Sequence, residues 1–296
     1  MSMEHEGRRQ WEQLLERLSR NDRLDRYADA LQKLIGEVLP QGELKDALTG
    51  GWLGHAVHPA LTDVVIGTLA SGTLLHVVGT RHARRSSDLL VAVGLVAAMP
   101  TVASGLADWV DAYGEEKRIG FIHAVGNGAG LSCYLLSFGP RLRGHGFRAR
   151  ALRLLGFSLL AGAGFVGGHM TLRKGMGVNH GAFEAYPEQW TAVMQDENLK
   201  ENTLTKVTAH GVDIVLYKNH RKIYALANTC SHAGGPLAEG SVNTDGCVTC
   251  PWHQSVFDLA TGEVVHGPAS APQTVFEVRR HEGSVEVRLR PHDEEH

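Results

Sequence analysis

Four apolar runs of bilayer length follow one another in this 296-residue chain, and few folds can absorb them. They cover residues 59–79, 88–107, 119–139 and 151–170. About 20 consecutive apolar residues make a helix long enough to cross the hydrocarbon core of a membrane. The runs are rich in Gly, Ala, Ser and Thr, which let membrane helices approach closely. A buried soluble bundle of glycine-rich helices is the competing reading. Four such runs in a row, split only by short charged loops, argue against it. The expected fold is multi-domain. A four-helix transmembrane bundle (49–186) stands between an amphipathic helical segment (1–48) and a small all-β domain (187–296).

Residues 8–39 have helical periodicity. Trp11, Leu14, Leu15 and Leu18 share one face, as do Tyr27, Leu31, Leu34, Ile35 and Val38. Asn21-Asp22 is the expected break between two short helices, and Pro40-Gln41-Gly42 ends the segment. Such a pair can lie on a membrane surface or a partner, or pack on its own protein. Residues 1–48 are charged and lack the apolar stretch of a cleavable signal peptide. The formal net charge of −3 points to neither nucleic acid nor an acidic partner.

From Trp190 onward the pattern turns to strands. Thr205–Thr208, Ile214–Tyr217 and Lys222–Leu226 are β-rich and separated by turn residues, and 275–279 with 284–289 reads as a closing hairpin. Within this region lie Cys230-Ser231-His232 and Cys250-Pro251-Trp252-His253, separated by residues 233–249. Each pair sits in a Gly- and Pro-rich stretch and supplies one thiolate and one imidazole. A structural zinc ion takes the same ligand types, but zinc fingers pair Cys with Cys and His with His in each half. Ala233-Gly234-Gly235-Pro236-Leu237 and Phe257-Asp258-Leu259-Ala260-Thr261-Gly262 follow the two pairs.

With these flanks the stretch resembles the Rieske family, in its ferredoxin-like and oxygenase-type branch. The resemblance implies a [2Fe–2S] cluster, with Cys230 and Cys250 on the inner iron and His232 and His253 on the exposed one. High-potential relatives carry an extra, disulfide-bonded cysteine in each ligand loop. Here non-cysteine residues such as Trp252 fill those places, so the low-potential type is expected. Cys133 lies in an apolar run and Cys247 in a strand, so no disulfide framework is implied. Ser255 is placed to donate a hydrogen bond to a cluster or cysteine sulfur. Phe257 stands where high-potential relatives have a tyrosine hydroxyl, and Gln254 replaces a family glycine.

The apolar block has a resemblance of its own. Gly54-His55-Ala56-Val57-His58-Pro59-Ala60-Leu61, Ser104-Gly105-Leu106-Ala107-Asp108-Trp109, Gly167-Gly168-His169-Met170 and Gly175–His180 are similar to signature stretches of an uncharacterised four-helix bacterial membrane domain. That domain is often fused to a Rieske module. Ala56 departs from it, because a proline is common between the two histidines. Alternation of four helices gathers His55, His58, His123, His169, Asp108 and His180 at one end and sends His76 to the other. Ionisable groups at membrane depth are costly and usually functional. His58, His123 and His169 are therefore candidates to ligate a haem b or another metal, to hydrogen-bond a quinone, or to link helices.

The expected function is a membrane-tethered electron carrier that passes single electrons to or from a redox protein or quinone. The alternative is an iron–sulfur redox sensor in the membrane. An oxygenase fails on length, because the mononuclear iron site needs a large domain after the cluster and only residues 254–296 follow His253. Four spans put both ends of the chain on one side of a bacterial cell membrane. Arg81, Arg84, Arg85, Arg141, Arg143, Arg148 and Arg150 lie on the other side. Lys45, Lys117, Arg118, Arg173 and Lys174 share the side of the ends. The positive-inside rule thus places the Rieske domain outside. The charged N-terminal segment and the disulfide-free cluster type place it in the cytoplasm, which is the side expected here.

Overall fold

The structure is a computed structural model that describes residues 3–291; the side chains of residues 3–9 and of Arg81, one of the basic residues counted above, lie outside the described set. In chain order the helices are α1 (Met3–Ser19), α2 (Asp25–Val38), α3 (Glu43–Thr49), α4 (Val57–Val78), α5 (Arg81–Trp109), α6 (Gly114–Leu142) and α7 (Gly146–Leu172). The chain divides into two units: Met1–Gln41 with Val57–Met176, and Gly42–Ala56 with Gly177–His296. Residues 42–56 thus go with the β unit, and that unit begins at 177, whereas boundaries at 49 and 187 would divide the chain elsewhere.

In the helical unit, α4–α7 are the four apolar runs; α4 matches its run to within two residues, and α5, α6 and α7 begin at least a turn earlier than theirs. The residues read as arginine-bearing loops are mostly helix: Arg84 and Arg85 lie in α5, Arg141 in α6, and Arg148 and Arg150 in α7. The helices pair as two hairpins, α4 with α5 and α6 with α7. Among the described residues, these four helices are long and apolar enough to cross a membrane. Only 17–28% of their most apolar windows is buried. Val64, Ile66, Leu74, Val96, Met99, Leu135, Leu136 and Phe165 face outward. A water-facing surface of that kind would be costly, whereas lipid accepts it without penalty.

The N-terminal helices pack on their own bundle. Asn21 caps the 3-10 turn Asp22–Leu24, accepting a hydrogen bond from the Arg23 N–H, at the expected break. Arg118 of α6 forks onto Asp25, with Nε and Nη2 at 3.0 and 2.7 Å from its two oxygens. Lys117 reaches Asp25 at 3.1 Å and Asp29 at 2.5 Å. Arg173 pairs with Glu12, and Lys174 with Glu115. Gln32 donates to the carbonyls of Trp109 and Ala112. The two guanidinium and ammonium neighbours hold the Asp25 carboxyl down at about 2.

The β unit contains β1 (Thr191–Gln195), β2 (Leu204–Ala209), β3 (Val212–Asn219), β4 (Lys222–Ala227), β5 (Ser241–Val242), β6 (Cys247–Thr249), β7 (Val256–Asp258), β8 (Val264–His266), β9 (Phe276–His281) and β10 (Ser284–Leu289). They form antiparallel sheets in the orders β1-β10-β9, β2-β3-β4 and β5-β6-β7-β8. Alternation along β3 sends Ile214 and Leu216 into one core with Val207, Ala225, Phe276, Val285 and Val287. Val215 and Tyr217 enter a second core with Leu226, Leu237, Val248, Phe257, Cys230 and Cys250. One strand therefore braces both cores, and the second contains the two cysteines. Helix α3 closes the β8 end: Asp46 accepts from the Gly267 N–H at 3.0 Å and meets His266 Nδ1 at 2.9 Å.

Candidate functional site

The two Cys-His stretches fold as matching loops. The Thr229–Pro236 bridge closes residues 230–235, and the Thr249–Val256 pair closes residues 250–255. In each loop the cysteine N–H donates to the carbonyl of the sixth residue: Cys230 to Gly235 at 2.9 Å, and Cys250 to Ser255 at 2.8 Å. The fifth residue returns its N–H to the cysteine carbonyl, Gly234 at 2.8 Å and Gln254 at 3.2 Å. That fifth position has left-handed backbone, φ +77° at Gly234 and +63° at Gln254. Glycine takes this conformation freely, while other residues meet a steric penalty. Gln254 therefore keeps the backbone that a glycine would adopt.

This folding sorts the four ligand candidates into two layers. Cys230 and Cys250 are each 1% exposed. Their sulfurs are hydrogen-bonded to each other. The N–H groups of His232 and Ala233 point at the first sulfur, and those of Trp252 and His253 at the second. The contact between the two sulfurs lowers the Cys250 thiol and pushes Cys230 up, with burial adding to the latter. The imidazoles of His232 and His253 form a separate pair, with ring centroids 4.7 Å apart and planes at 84°. Burial, then the neighbouring His253 and His180, hold His232 down at about 4, so its imidazole is neutral at physiological pH, the form that can ligate a metal. His232 Nδ1 is buried and has no hydrogen-bond partner.

These features fit a two-iron cluster better than a single ion. A lone tetrahedral zinc needs all four donors around one point. Among the described residues, no group of three or more His, Cys, Asp or Glu side chains converges on one point. A sulfur pair in the core and an imidazole pair nearer the surface match two irons with different ligands. The orphaned Nδ1 of His232 is the atom such an iron would satisfy.

Several residues that brace the site carry no sequence signal. Gln273, 4% exposed, holds the first loop from below. Its Oε1 accepts from the Ser231 N–H at 3.0 Å, and its Nε2 donates to the carbonyls of Ala227 and Thr229 at 2.8 and 2.6 Å. Asn228 Oδ1 accepts from the Ala238 N–H at 2.8 Å. Ser255, read as a donor toward sulfur, is fully buried and accepts from the Ala269 N–H at 3.0 Å. Residues 180–186 pack against the first loop: the His180 N–H donates to the Ser231 carbonyl at 3.1 Å, and Thr229 Oγ1 donates to Glu184 at 2.6 Å. Burial pushes the Tyr186 hydroxyl up to about 12. Residues 183–188 are thus part of the β unit.

In the bundle, His58 of α4 and His123 of α6 occupy matching positions in the two hairpins. His58 Nδ1 donates to the Thr101 carbonyl of α5 at 2.9 Å, and His123 Nδ1 donates to the Ala163 carbonyl of α7 at 2.8 Å. Each ring lies over a glycine four residues further on. An added Cβ would stand 2.6 Å from His58 Cε1 at Gly105 and 2.8 Å from His123 Cε1 at Gly167. Asn127 Nδ2 lies 3.0 Å from His123 Nε2. His169 has different surroundings, with Arg173, Lys174, Glu12 and Glu16 as its charged neighbours. Neither His55 nor His180 belongs to this unit.

The ligand layers and the β-sheets that hold them define the class of an iron–sulfur electron-transfer domain, and comparisons agree. Residues 189–279 match the Rieske [2Fe-2S] domain family. Residues 54–180 match a predicted membrane protein family, DUF2231. The chain is 31% identical to the anthranilate 1,2-dioxygenase ferredoxin subunit of Burkholderia cepacia, over 36% of this chain and 97% of that protein. It is also 31% identical to the ferredoxin CarAc of Metapseudomonas resinovorans, over 33% of this chain and 92% of the relative. A solved chain from the complex of reduced oxygenase and oxidized ferredoxin in carbazole 1,9a-dioxygenase shares 29% identity; the match covers 36% of this chain and 99% of that one, with a TM-score of 0.33. The chain belongs to the Rieske [2Fe-2S] family and carries in front of that domain a DUF2231 membrane-protein domain.

Proposed function

We propose that this chain is a membrane-anchored Rieske electron carrier. Cys230 and Cys250 hold the inner iron, and His232 and His253 the outer one. The observation that carries this reading is the split of the four donors into a buried sulfur pair and a surface-side imidazole pair with an orphaned nitrogen. When bound, such a cluster supplies reversible one-electron redox chemistry. The chain's own part is to keep the sulfurs from water, to aim four peptide N–H groups at them, and to present the imidazoles as the route in and out. Trp252 stands 51% exposed beside His253 and offers an apolar contact to a docking redox protein. Its two ferredoxin relatives support an oxygenase-type or similar redox partner, and the bundle supports exchange with a quinone in the bilayer.

The bundle holds the carrier in the bacterial cell membrane, with the Rieske domain on the cytoplasmic side. Its outward apolar faces support the anchoring. His58 and His123 act as clamps between paired helices, because a carbonyl accepts the Nδ1 proton of each. A reduced-minus-oxidised Soret and α band, lost in His123→Ala or His169→Ala and kept in His76→Ala, would instead assign a haem.

Protein purified anaerobically in detergent should hold two irons and two acid-labile sulfides. On reduction it should give a Rieske-type EPR signal that is abolished in His232→Ala and His253→Ala. Stoichiometric zinc after purification from iron-replete cells would overturn the reading.

A further inference from the structure

The bundle end where α4 and α6 finish and α5 and α7 begin contains a cavity that the electron-transfer reading does not use. It has a volume of about 190 Å³ and is lined by His76, Arg84, Arg141, Gly146, Phe147 and Arg150. Just below it lies Arg153, the largest fully buried side chain of the protein. A charge in that position must be fully paired to be tolerated, and it is. Nε donates to Ser137 at 3.2 Å, Nη1 to Ser87 at 2.7 Å and to His76 Nδ1 at 3.1 Å, and Nη2 to Asp88 at 2.7 Å. Arg141 takes the other oxygen of Asp88 at 3.1 Å.

This floor has two consequences for the cavity above. A guanidinium has donors only, so His76 Nδ1 accepts and the imidazole proton sits on Nε2. His76 therefore enters the cavity wall as a neutral N–H donor. In addition, Arg153 and Arg141 each take one oxygen of Asp88. Arg84 and Arg150 are then left without an acidic partner among the described residues. Their Nε atoms are out of reach of water and have no acceptor. Arg141 and Arg153 thus hold the Asp88 carboxylate, while Arg84, Arg141 and Arg150 line the cavity. Arginines at a membrane surface normally extend into water. Here they are folded inward, and an unpaired buried donor of this kind calls for an acceptor.

We propose that this cavity binds a phosphate-class oxyanion, held by Arg84 and Arg150 with His76 as an N–H donor. Guanidinium forks match phosphate oxygens in geometry and charge. The four helix ends put the cavity at headgroup depth, where basic pockets between membrane helices take anionic lipid headgroups. A free phosphate offers the same oxygens, so the chemistry is shared and the source is decided by experiment.

The test uses the full-length cluster-loaded chain, delipidated in a neutral detergent at constant ionic strength. One arm titrates inorganic phosphate against chloride. The other titrates phosphatidylglycerol against phosphatidylcholine, and both read thermal stability, which a ligand of the folded state raises with the logarithm of its concentration once that exceeds Kd. Stabilisation by phosphate that sets in at a defined Kd and then grows logarithmically assigns a soluble oxyanion. The same response to phosphatidylglycerol alone assigns a lipid headgroup. In either case Arg84→Gln with Arg150→Gln should weaken the effect at least tenfold. Arg148→Gln, an exposed arginine of the same helix end, should leave it unchanged. A ligand-free unfolding temperature of the bundle close to wild type reports that each variant is folded. If wild type is stabilised by neither probe relative to its control, or the double variant responds as wild type does, the site does not exist.

Discussion

Gln273 is the most demanding test of how the cluster loop is built, because nothing in its sequence context marks it. Replacing it with leucine keeps nearly the same volume and removes only the amide. Three hydrogen bonds disappear, to the Ser231 N–H and to the carbonyls of Ala227 and Thr229. Each is worth about 1 kcal/mol net, and a buried group left unpaired costs about 1–3 kcal/mol. Ser231 N and Ala227 O lie in buried bonds, whereas the Thr229 bond is only partly buried and that carbonyl can find water. The expected loss is therefore about 3 kcal/mol, concentrated in the loop that carries Cys230 and His232. At about 1.4 kcal/mol per factor of ten, opening of that loop becomes roughly 100-fold more frequent. The assay is the decay of the cluster's visible absorbance in intermediate urea, with the full-length chain in detergent. Gln273→Leu should lose its cluster up to about 100-fold faster. Gln273→Glu should be worse still, since its carboxylate faces two carbonyl oxygens with no proton between them. Decay within about a factor of two of wild type for both variants would refute the brace.

Three further outcomes follow from other contacts. Gly235→Ala places a Cβ 2.9 Å from Cys250 Sγ and 3.0 Å from Trp252 Cγ, so the loops must spread; overpacking of this kind costs about 1–3 kcal/mol, and iron content per chain should fall while the bundle still extracts normally. Ser255→Ala removes a hydroxyl read as a donor toward sulfur and leaves the Ala269 N–H without its acceptor; redox titration should show a lower potential, and an unchanged potential would remove Ser255 from the cluster's electrostatics. The folded-state pKa of Asp25, about 2, lies below its ordinary value of 3.8, with the Arg118 bond as the larger cause and Lys117 next. Its contribution to docking the N-terminal helices is present above the ordinary value and is lost as pH falls through the depressed one. Pepsin should accordingly release the segment before Gln41 more readily at pH 2 than at pH 5, and Asp25→Asn should expose the same segment to trypsin at neutral pH.

The sequence by itself determined the two chemistries of this protein. Bilayer-length apolar runs can only become helices in lipid, because every backbone polar group there must be satisfied within its own segment. They formed α4–α7, with ends that moved outward through the arginines. Cys230, His232, Cys250 and His253 stand out in the sequence because a two-iron centre demands that donor set at short spacing, and the structure brings them into two matching loops. Even Gln254, which looked out of place, adopts the left-handed backbone of the glycine it replaces. What tertiary structure alone decided was partnership. The periodicity of residues 8–39 shows an apolar face but not what covers it; Arg118 and Lys117, some ninety residues away, supply the answer through Asp25 and Asp29. The brace from Gln273 to the first loop spans more than forty positions. The histidines of the bundle read alike in sequence, yet His58 and His123 bond across helix pairs while His169 stands among the charges that meet α1. Arg84 and Arg150 counted in the sequence only as loop charges. Only packing shows that Arg141 and Arg153 take the carboxylate of Asp88, because which donor reaches an acceptor first depends on distances that no local pattern records.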